Sequence, residues 1–470
     1  MTASDVVEGS LADGSAGGST GVVRRSALAC GASVALIAFV FGAVGIGRSF
    51  GYDEGFTYVA FVNGGSLRRA LTTQWVFNNH QMFSAIQALW WRLGFVGESA
   101  QRVLPVTAGA ITVGLVGWYT ARRVGVVAGA TAGLVLTFNP IYLEQVRQLR
   151  GYALAALSVL VAGIAIQQSW NDERRRWLVI QGVAMVVAVT THSYSAVTIL
   201  MFAAATLAMG RVRRAHLVTW VASAVAAILI QFPLLDDARR NAELRGSAYR
   251  DWFGEFTLRS FVGYEWPAVV ILGSLGLTGL ITLALRSRRH LYGVLAAGAV
   301  FAAAFLLLWQ VVRPYDLYPR FFISAVPVVA CLVGLGVGTV ATSLRPPAGN
   351  VLAAAVGLAA VATLLPSALD IVRSPDSGYR EAAAIVTEAR RLGLEPCGSH
   401  TEPLAAYAEP LPLVTGIGDI DDCDLFVATL GVRGAQRASV EERFDGAFSV
   451  GSIGIWTDDS LVELLRPADG

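Results

Sequence analysis

Residues 24–55, RRSALACGASVALIAFVFGAVGIGRSFGYDEG, decide the fold. Arg24-Arg25 is followed by a run over 28–46 that carries no charge and has the length of one membrane crossing, for which about 20 mainly apolar residues are needed. The run is too long for the apolar part of a signal peptide, and no small-residue cleavage site stands out. Residues 1–23 are small, polar and rich in Gly and Ser; they lack the apolar surface to fold and are expected to be a disordered cytoplasmic tail. Just beyond the run stands Gly51-Tyr52-Asp53-Glu54-Gly55, an acidic pair at the membrane surface.

The same pattern recurs along the chain. Of the 470 residues, 54% are hydrophobic and 15% charged, against about a quarter charged in soluble domains, and the mean hydropathy is positive. Eleven spans are expected, near 28–46, 103–120, 125–140, 152–169, 177–192, 194–210, 217–235, 267–285, 292–312, 322–343 and 350–367. The fold class is therefore an all-α polytopic membrane protein. Residues 82–96, with Trp90 and Trp91, are apolar but short, and read as an interfacial helix. All 36 basic side chains are Arg, and the net charge of +2 gives no reason to expect a nucleic-acid partner.

Arg clusters occur at alternate connections: Arg24-Arg25, Arg122-Arg123, Arg174 to Arg176, Arg211 with Arg213 and Arg214, and Arg286 with Arg288 and Arg289. By the positive-inside rule these lie in the cytoplasm. The N-terminus is then inside, and the loops at 47–102, 140–151, 236–266 and 313–321 and the tail after 368 face outward across the inner (plasma) membrane. The membrane domain spans 24–368. Residues 369–470 are more polar and are expected to form a small α/β extracytoplasmic domain, with a helix over 379–392 and strands over Leu425–Leu430 and Val450–Trp456. It holds two of the four cysteines, Cys397 and Cys423, which are expected to form a disulfide in an oxidising compartment; Cys30 and Cys331 fall inside spans.

Alone, two adjacent acids in a loop are ordinarily just solvated. A carboxylate held at the membrane surface, however, is placed to deprotonate an acceptor hydroxyl while a lipid-phosphate leaving group stays in the bilayer. The outward loops carry further groups with such chemistry: Asn78-Asn79-His80-Gln81 ahead of the interfacial helix, Arg102-Val103-Leu104-Pro105 leading into the second span, and Asn139-Pro140 followed by Tyr142 to Tyr152. Thr191-His192-Ser193-Tyr194 and Tyr318-Pro319-Arg320-Phe321-Phe322 through Pro327 come later.

Together these segments resemble the GT-C superfamily of membrane glycosyltransferases that use polyprenyl-phosphate sugars, in its family 39 branch of protein mannosyltransferase-like and aminoarabinose transferase-like proteins. The family's outer-loop Asp-Glu pair is matched by Asp53-Glu54 and its loop histidine by His80. Its Arg-Leu-Pro is matched by Arg102 to Pro105 with one insertion, and its Glu-Ala-Arg-x-Tyr-Ala-Leu by Gln148 to Leu154. Its later Arg-Tyr-Leu-x-Pro is matched by Arg320 to Pro327, and its Thr-His-Tyr by Thr191 to Tyr194. The match covers roughly 50–330. It departs at Gln81-Met82, where many relatives have prolines, and at Gln148, where a Glu is frequent.

The resemblance implies inverting transfer of a sugar from a polyprenyl-phosphate donor to a glycan, lipid or protein acceptor of the cell envelope, with Asp53 as general base. Glu54 then orients the acceptor or shares a divalent cation with His80, since some relatives use a metal. Arg150 and Arg320, with Arg147 and Tyr152, are expected at the donor phosphate; His80, Glu144 and His192 are expected at the acceptor or the metal. Arg147, Arg150, Arg313 and Arg320 are out of place for outward loops under the positive-inside rule, which points to an anion that holds them there, the alternative being local acids such as Glu144 and Asp316. Two other classes remain open. A transporter or flippase of lipid-linked sugars would place ionisable groups near mid-membrane; a polymerase or ligase of lipid-linked glycans would share both the topology and the outer-face charges.

Overall fold

The computed structural model describes residues 17–73, 79–172, 174–235, 259–310, 319–374, 377–398, 402–409, 424–428, 444–451 and 462–467. Helices dominate. The first, α1 (Gly17–Ala43), begins inside the expected tail, because a nucleated helix propagates past the end of its apolar run at little cost. Three short helices of the first long loop come next: α2 (Tyr52–Thr57, running on through a π-turn to Val62), α3 (Leu67–Thr72) and α4 (Gln81–Arg92). Long helices then alternate with short turns: α5 (Glu98–Val124), α6 (Val126–Phe138), α7 (Pro140–Val146), α8 (Tyr152–Asn171), α9 (Arg175–Thr191), α10 (Ser195–Ala208) and α11 (Arg214–Gln231). The set closes with α12 (Trp266–Leu285), α13 (Arg288–Gln310), a 3-10 turn over Pro319–Ala325 leading into α14 (Val326–Ser343), and α15 (Ala348–Arg373).

Among the described residues, eight helices are long and apolar enough to cross a membrane, or nine if one bent pair counts as a span. The chain is thus a multi-pass membrane protein. Each expected span coincides with a helix, but three are not straight crossings. The third is broken: α6 and α7 meet at 66°, because Pro140 cannot extend the helix of α6 and Asn139 caps α7 by accepting from the Tyr142 N–H at 3.0 Å. The fifth and sixth are the 17-residue α9 and the 14-residue α10, joined at His192–Tyr194.

Helix packing relies on small residues, as is usual where lipid gives no hydrophobic drive for association. Between α12 and α14, a Cβ at Gly279 would overlap the Leu332 carbonyl, and one at Gly336 the Leu275 carbonyl, so the backbones touch. The loops expected outside meet at one end of the bundle: Arg48 donates to Ser374 Oγ at 3.1 Å, and the Asn139 amide to the Ser260 and Phe261 carbonyls at 3.2 Å. At the opposite end, Arg123 donates to Gln167 and Ser169 meets His216.

Beyond α15, the helix α16 (Tyr379–Arg391) covers a four-stranded sheet in the order β1-β2-β4-β3, with β1 Pro396–Gly398, β2 Leu425–Ala428, β3 Phe444–Gly451 and β4 Val462–Pro467. The β1–β2 pair is parallel and the others antiparallel. Tyr379, Ala382, Ala383, Val386 and Ala389 form the buried face of α16 against Leu404, Leu425 and Val427. Of the strand expected over 450–456, residues 450–451 are the end of β3, and 452–456 are outside the described set. Cys397 is disulfide-bonded and Cys30 and Cys331 are free, while the expected partner Cys423 lies outside the described residues.

Candidate active site

Asp53 and Glu54 share the first turn of α2 but have opposite surroundings. Glu54 is sealed, with only 8% of its side chain exposed. Its Oε1 accepts from Arg102 Nε at 2.7 Å and the Leu149 N–H at 2.6 Å; its Oε2 accepts from Arg102 Nη2 at 2.7 Å and the Gly51 N–H at 3.0 Å. A carboxylate has about four acceptor positions, and all are taken. Arg102 also donates to the carbonyls of Ile46 and Ser49 and lies over the Phe50 ring. It thereby gathers residues 46–54 around one guanidinium.

Asp53 stays 27% exposed and faces two arginines. Its Oδ2 lies 3.0 Å from Arg320 Nη1 and 3.8 Å from Arg150 Nη2. Arg150, between α7 and α8, is nearly buried, with 4% of its side chain exposed. Its further contacts, to the Asp53 carbonyl, Thr57 Oγ1 and the Tyr152 hydroxyl, are long at 3.3–3.4 Å. Arg320, in the 3-10 turn before α14, is 28% exposed. Three segments far apart in sequence thus bring one acid and two guanidinium groups together.

An aromatic wall stands beside them. His80 stacks on His192 with ring centroids 5.7 Å apart and meets the edge of Tyr152 at 4.8 Å. Tyr194 and Phe321 stack at 4.7 Å and 6°. His80 Nδ1 lies 2.8 Å from the Thr191 carbonyl. Gly151 makes this approach possible, since a Cβ there would come within 2.9 Å of the His80 ring and 2.6 Å of the Thr191 methyl. Burial, aided by the charges of Arg150 and His192, holds His80 well below the ordinary imidazole range. Burial and the charges of Arg150 and Arg320 hold His192 down at about 3. Both rings are neutral at physiological pH.

Two expected site residues are placed elsewhere. Arg147 does not face Asp53: its Nη1 and Nη2 donate to the carbonyls of Ile371 and Val44, both at 2.6 Å. A cation suits these helix C-terminal ends, where carbonyls lack intrahelical partners. Burial and the charges of Arg48 and Arg102 push its guanidinium down to about 10. Glu144 lies on α7, where its charge, after burial, keeps the Tyr264 hydroxyl protonated. Arg313 and Asp316 lie outside the described residues.

The expected cation site does not fit these surroundings. Glu54 has no acceptor position left to share with His80, and among the described residues no group of three or more His, Cys, Asp or Glu could hold a metal ion. The main site residue that sequence reasoning left without a role is Arg102. Its signal was present, because a charge at the lip of a span needs a partner, and an acidic pair is the nearest supply.

Over about nine-tenths of its length the chain superposes on solved structures of other proteins. The crystal structure of apo ArnT from Cupriavidus metallidurans aligns with a TM-score of 0.55, at 15% identity over 93% of this chain and 96% of that one. This chain shares the fold of that structure. The same ArnT bound to undecaprenyl phosphate aligns at 0.55 and 16% identity, covering 93% and 97%. The archaeal oligosaccharyltransferase AglB of Archaeoglobus fulgidus, in complex with an inhibitory peptide and a dolichol-phosphate, aligns at 0.55 and 13%, covering 89% and 73%. No family model matches the chain, and no curated protein matches it by sequence.

Proposed function

We propose that the chain is a glycosyltransferase that moves a sugar from a polyprenyl-phosphate donor to a glycan, lipid or protein acceptor of the cell envelope, at the extracytoplasmic face of the inner membrane. The observation that carries this reading is the Asp53–Arg150–Arg320 cluster at the lip of the bundle, with Tyr152 beside it. A partly exposed carboxylate flanked by two guanidinium groups suits an acid–base step next to a phosphate, because the guanidinium fork matches phosphate oxygens in two-point geometry. The solved structures add support: ArnT binds undecaprenyl phosphate and AglB a dolichol-phosphate in the same fold.

That geometry suggests the course of the reaction. The donor phosphate takes Arg150 and Arg320 from Asp53, which leaves the carboxylate to accept the proton of an acceptor hydroxyl. The hydroxyl oxygen bonds to the anomeric carbon from the face opposite the phosphate, the carbon–oxygen bond to phosphate breaks, and the configuration inverts. Charge growing on the leaving phosphate is stabilised by the two guanidinium groups. Glu54 acts through Arg102, fixing the turn that aims Asp53, and the His80–His192–Tyr152 wall is a neutral surface for a sugar ring. Arg147 is left out of the clamp because its donors serve Val44 and Ile371.

A transporter reading has less support, because no Asp, Glu or Arg lies in the middle of the described spans. The test is turnover: purified protein with short-chain polyprenyl-phosphate sugars should release polyprenyl phosphate, and a deletion strain should accumulate one lipid-linked sugar together with a truncated acceptor. Absence of turnover with every such donor, alongside vesicle transport of the same lipids, would replace this reading with the flippase.

A further inference from the structure

The residue that leads into the acidic pair is held by the C-terminal domain. Phe50 is 1% exposed and three positions before Asp53. Its N–H donates to the Tyr407 hydroxyl oxygen at 2.5 Å, and its carbonyl accepts from Ser377 Oγ at 2.9 Å. Both backbone polar groups of one residue are thus taken by side chains more than three hundred positions away. Ser377 also lies 2.7 Å from Ser49 Oγ, the Tyr407 and Phe50 rings are tilted at 6.1 Å, and Tyr52 packs against the core beneath α16. Arg380 closes the outer edge, pairing with Glu98 at 2.6 Å and donating to the Gly47 carbonyl. On the other side the Ser49 carbonyl accepts from Arg102 and the Gly51 N–H is given to Glu54. From 49 to 51 every one of these backbone groups is committed, half of them to the C-terminal domain.

We propose that Tyr407 and Ser377 are positioning residues for the transfer reaction: they fix the backbone at Phe50 so that Asp53 projects toward Arg150 and Arg320. The C-terminal domain is then part of the active-site scaffold. An unpaired, buried backbone group is unfavourable, so removing one hydroxyl lets the turn before Asp53 sample other conformations. A general base loses rate when displaced by a fraction of its hydrogen-bond reach. Neither side chain touches the arginines, so donor binding is untouched. Burial, together with the nearby Glu98 and Glu54 charges, keeps the Tyr407 phenol protonated, so its oxygen stays a neutral acceptor across the working pH range.

This inference rests on Asp53 as the base of the proposed transferase, so the test carries one readout that needs no activity. The full-length protein in nanodiscs is compared with Tyr407→Phe, Ser377→Ala and the double variant, by hydrogen exchange over 49–57, by donor affinity for a short-chain polyprenyl-phosphate sugar, and by kcat and KM. Tyr407→Phe keeps the ring and removes only the hydroxyl. It is expected to speed exchange over 49–57 and leave α1 and α5 unchanged, with kcat down on the order of tenfold, the rate equivalent of one such hydrogen bond, and donor affinity within about twofold of wild type. The double variant is expected to lose more than either alone. Unchanged exchange, or faster exchange with unchanged kcat, overturns the proposal, as does parallel loss of thermal stability and donor affinity, which marks a merely structural contact. Faster exchange in a protein whose wild type turns over no lipid-phosphate sugar keeps the clamp on Phe50 and removes the transferase reading.

Discussion

Arg320 Nη1 lies 3.0 Å from Asp53 Oδ2, across 267 positions of sequence, with Arg150 on the same oxygen at 3.8 Å. In the proposed reaction a donor phosphate oxygen takes over the place that the carboxylate holds in this charge cluster. Asp53→Asn is therefore expected to separate binding from chemistry. Loss of a general base costs about 100- to 10,000-fold in rate, while the two arginines, no longer paired with a carboxylate, hold the donor at least as tightly. Binding titration and single-turnover kinetics on the purified variant check this; near-normal turnover would move the base role elsewhere.

Arg150→Ala and Arg320→Ala are each expected to lose turnover by about 100- to 1,000-fold, as for removal of one donor to a developing negative charge. Both should also weaken donor binding. Lys restores the charge but not the two-point geometry, so Arg150→Lys and Arg320→Lys should recover only part of the rate. Equal affinity and turnover in both alanine variants would remove the clamp. Arg147→Ala should leave donor affinity near wild type and lower thermal stability instead, since its partners are the carbonyls of Val44 and Ile371.

The Glu54–Arg102 pair is a stability element. Removing one partner of a buried pair leaves the other charge uncompensated, at a cost of about 3–5 kcal/mol. Glu54→Leu and Arg102→Leu should each lower the unfolding midpoint strongly, and the double variant should be less destabilised than the sum. Strict additivity of the two would show that the groups act independently.

The neutral histidines give a pH signature. The unfolded-state pKa of His is about 6.5, whereas His192 is held at about 3 and His80 is shifted in the same direction. Below about pH 6.5 the unfolded chain takes up protons that the folded chain refuses. Stability is then full above that pH and falls toward pH 3, by up to about 1.4 kcal/mol per pH unit for each group. Unfolding scans from pH 7 to 5 should show the decline, flattened in His192→Phe. A wild-type midpoint independent of pH over this range would show that the rings are not held neutral.

Cys397 is disulfide-bonded, and peptide mapping without reductant is expected to join it to Cys423. The loop so closed, about 26 residues, corresponds to about 3.5 kcal/mol of stabilisation in the chain-entropy model. Alkylation should find thiols only at Cys30 and Cys331 after unfolding. A labelled Cys397 in unreduced protein would contradict the bond.

Local composition alone was enough to place the membrane helices. Apolar runs of spanning length must be helices, because a bilayer leaves no other partner for the backbone, and each expected span overlaps a helix. Among the described residues, however, eight helices, or nine with the bent pair, have the length and hydropathy to cross, against the eleven expected. Asn139-Pro140 already carried the broken span, since Pro breaks a helix and Asn caps the next. The helix at 379–392 was legible from its spacing. Which of two adjacent acids is open and which is sealed was legible nowhere in the chain and came from long-range packing. Asp53 and Glu54 are chemically alike and one step apart on a helix; what separates them is Arg102, 48 positions beyond Glu54, and the Leu149 N–H, 95 positions beyond it. Packing likewise sent Arg147 to helix ends and Arg150 to Asp53, and brought Tyr407 to the Phe50 backbone. Such pairings depend on which elements the bundle places side by side, and a buried charge takes whichever partner is within reach.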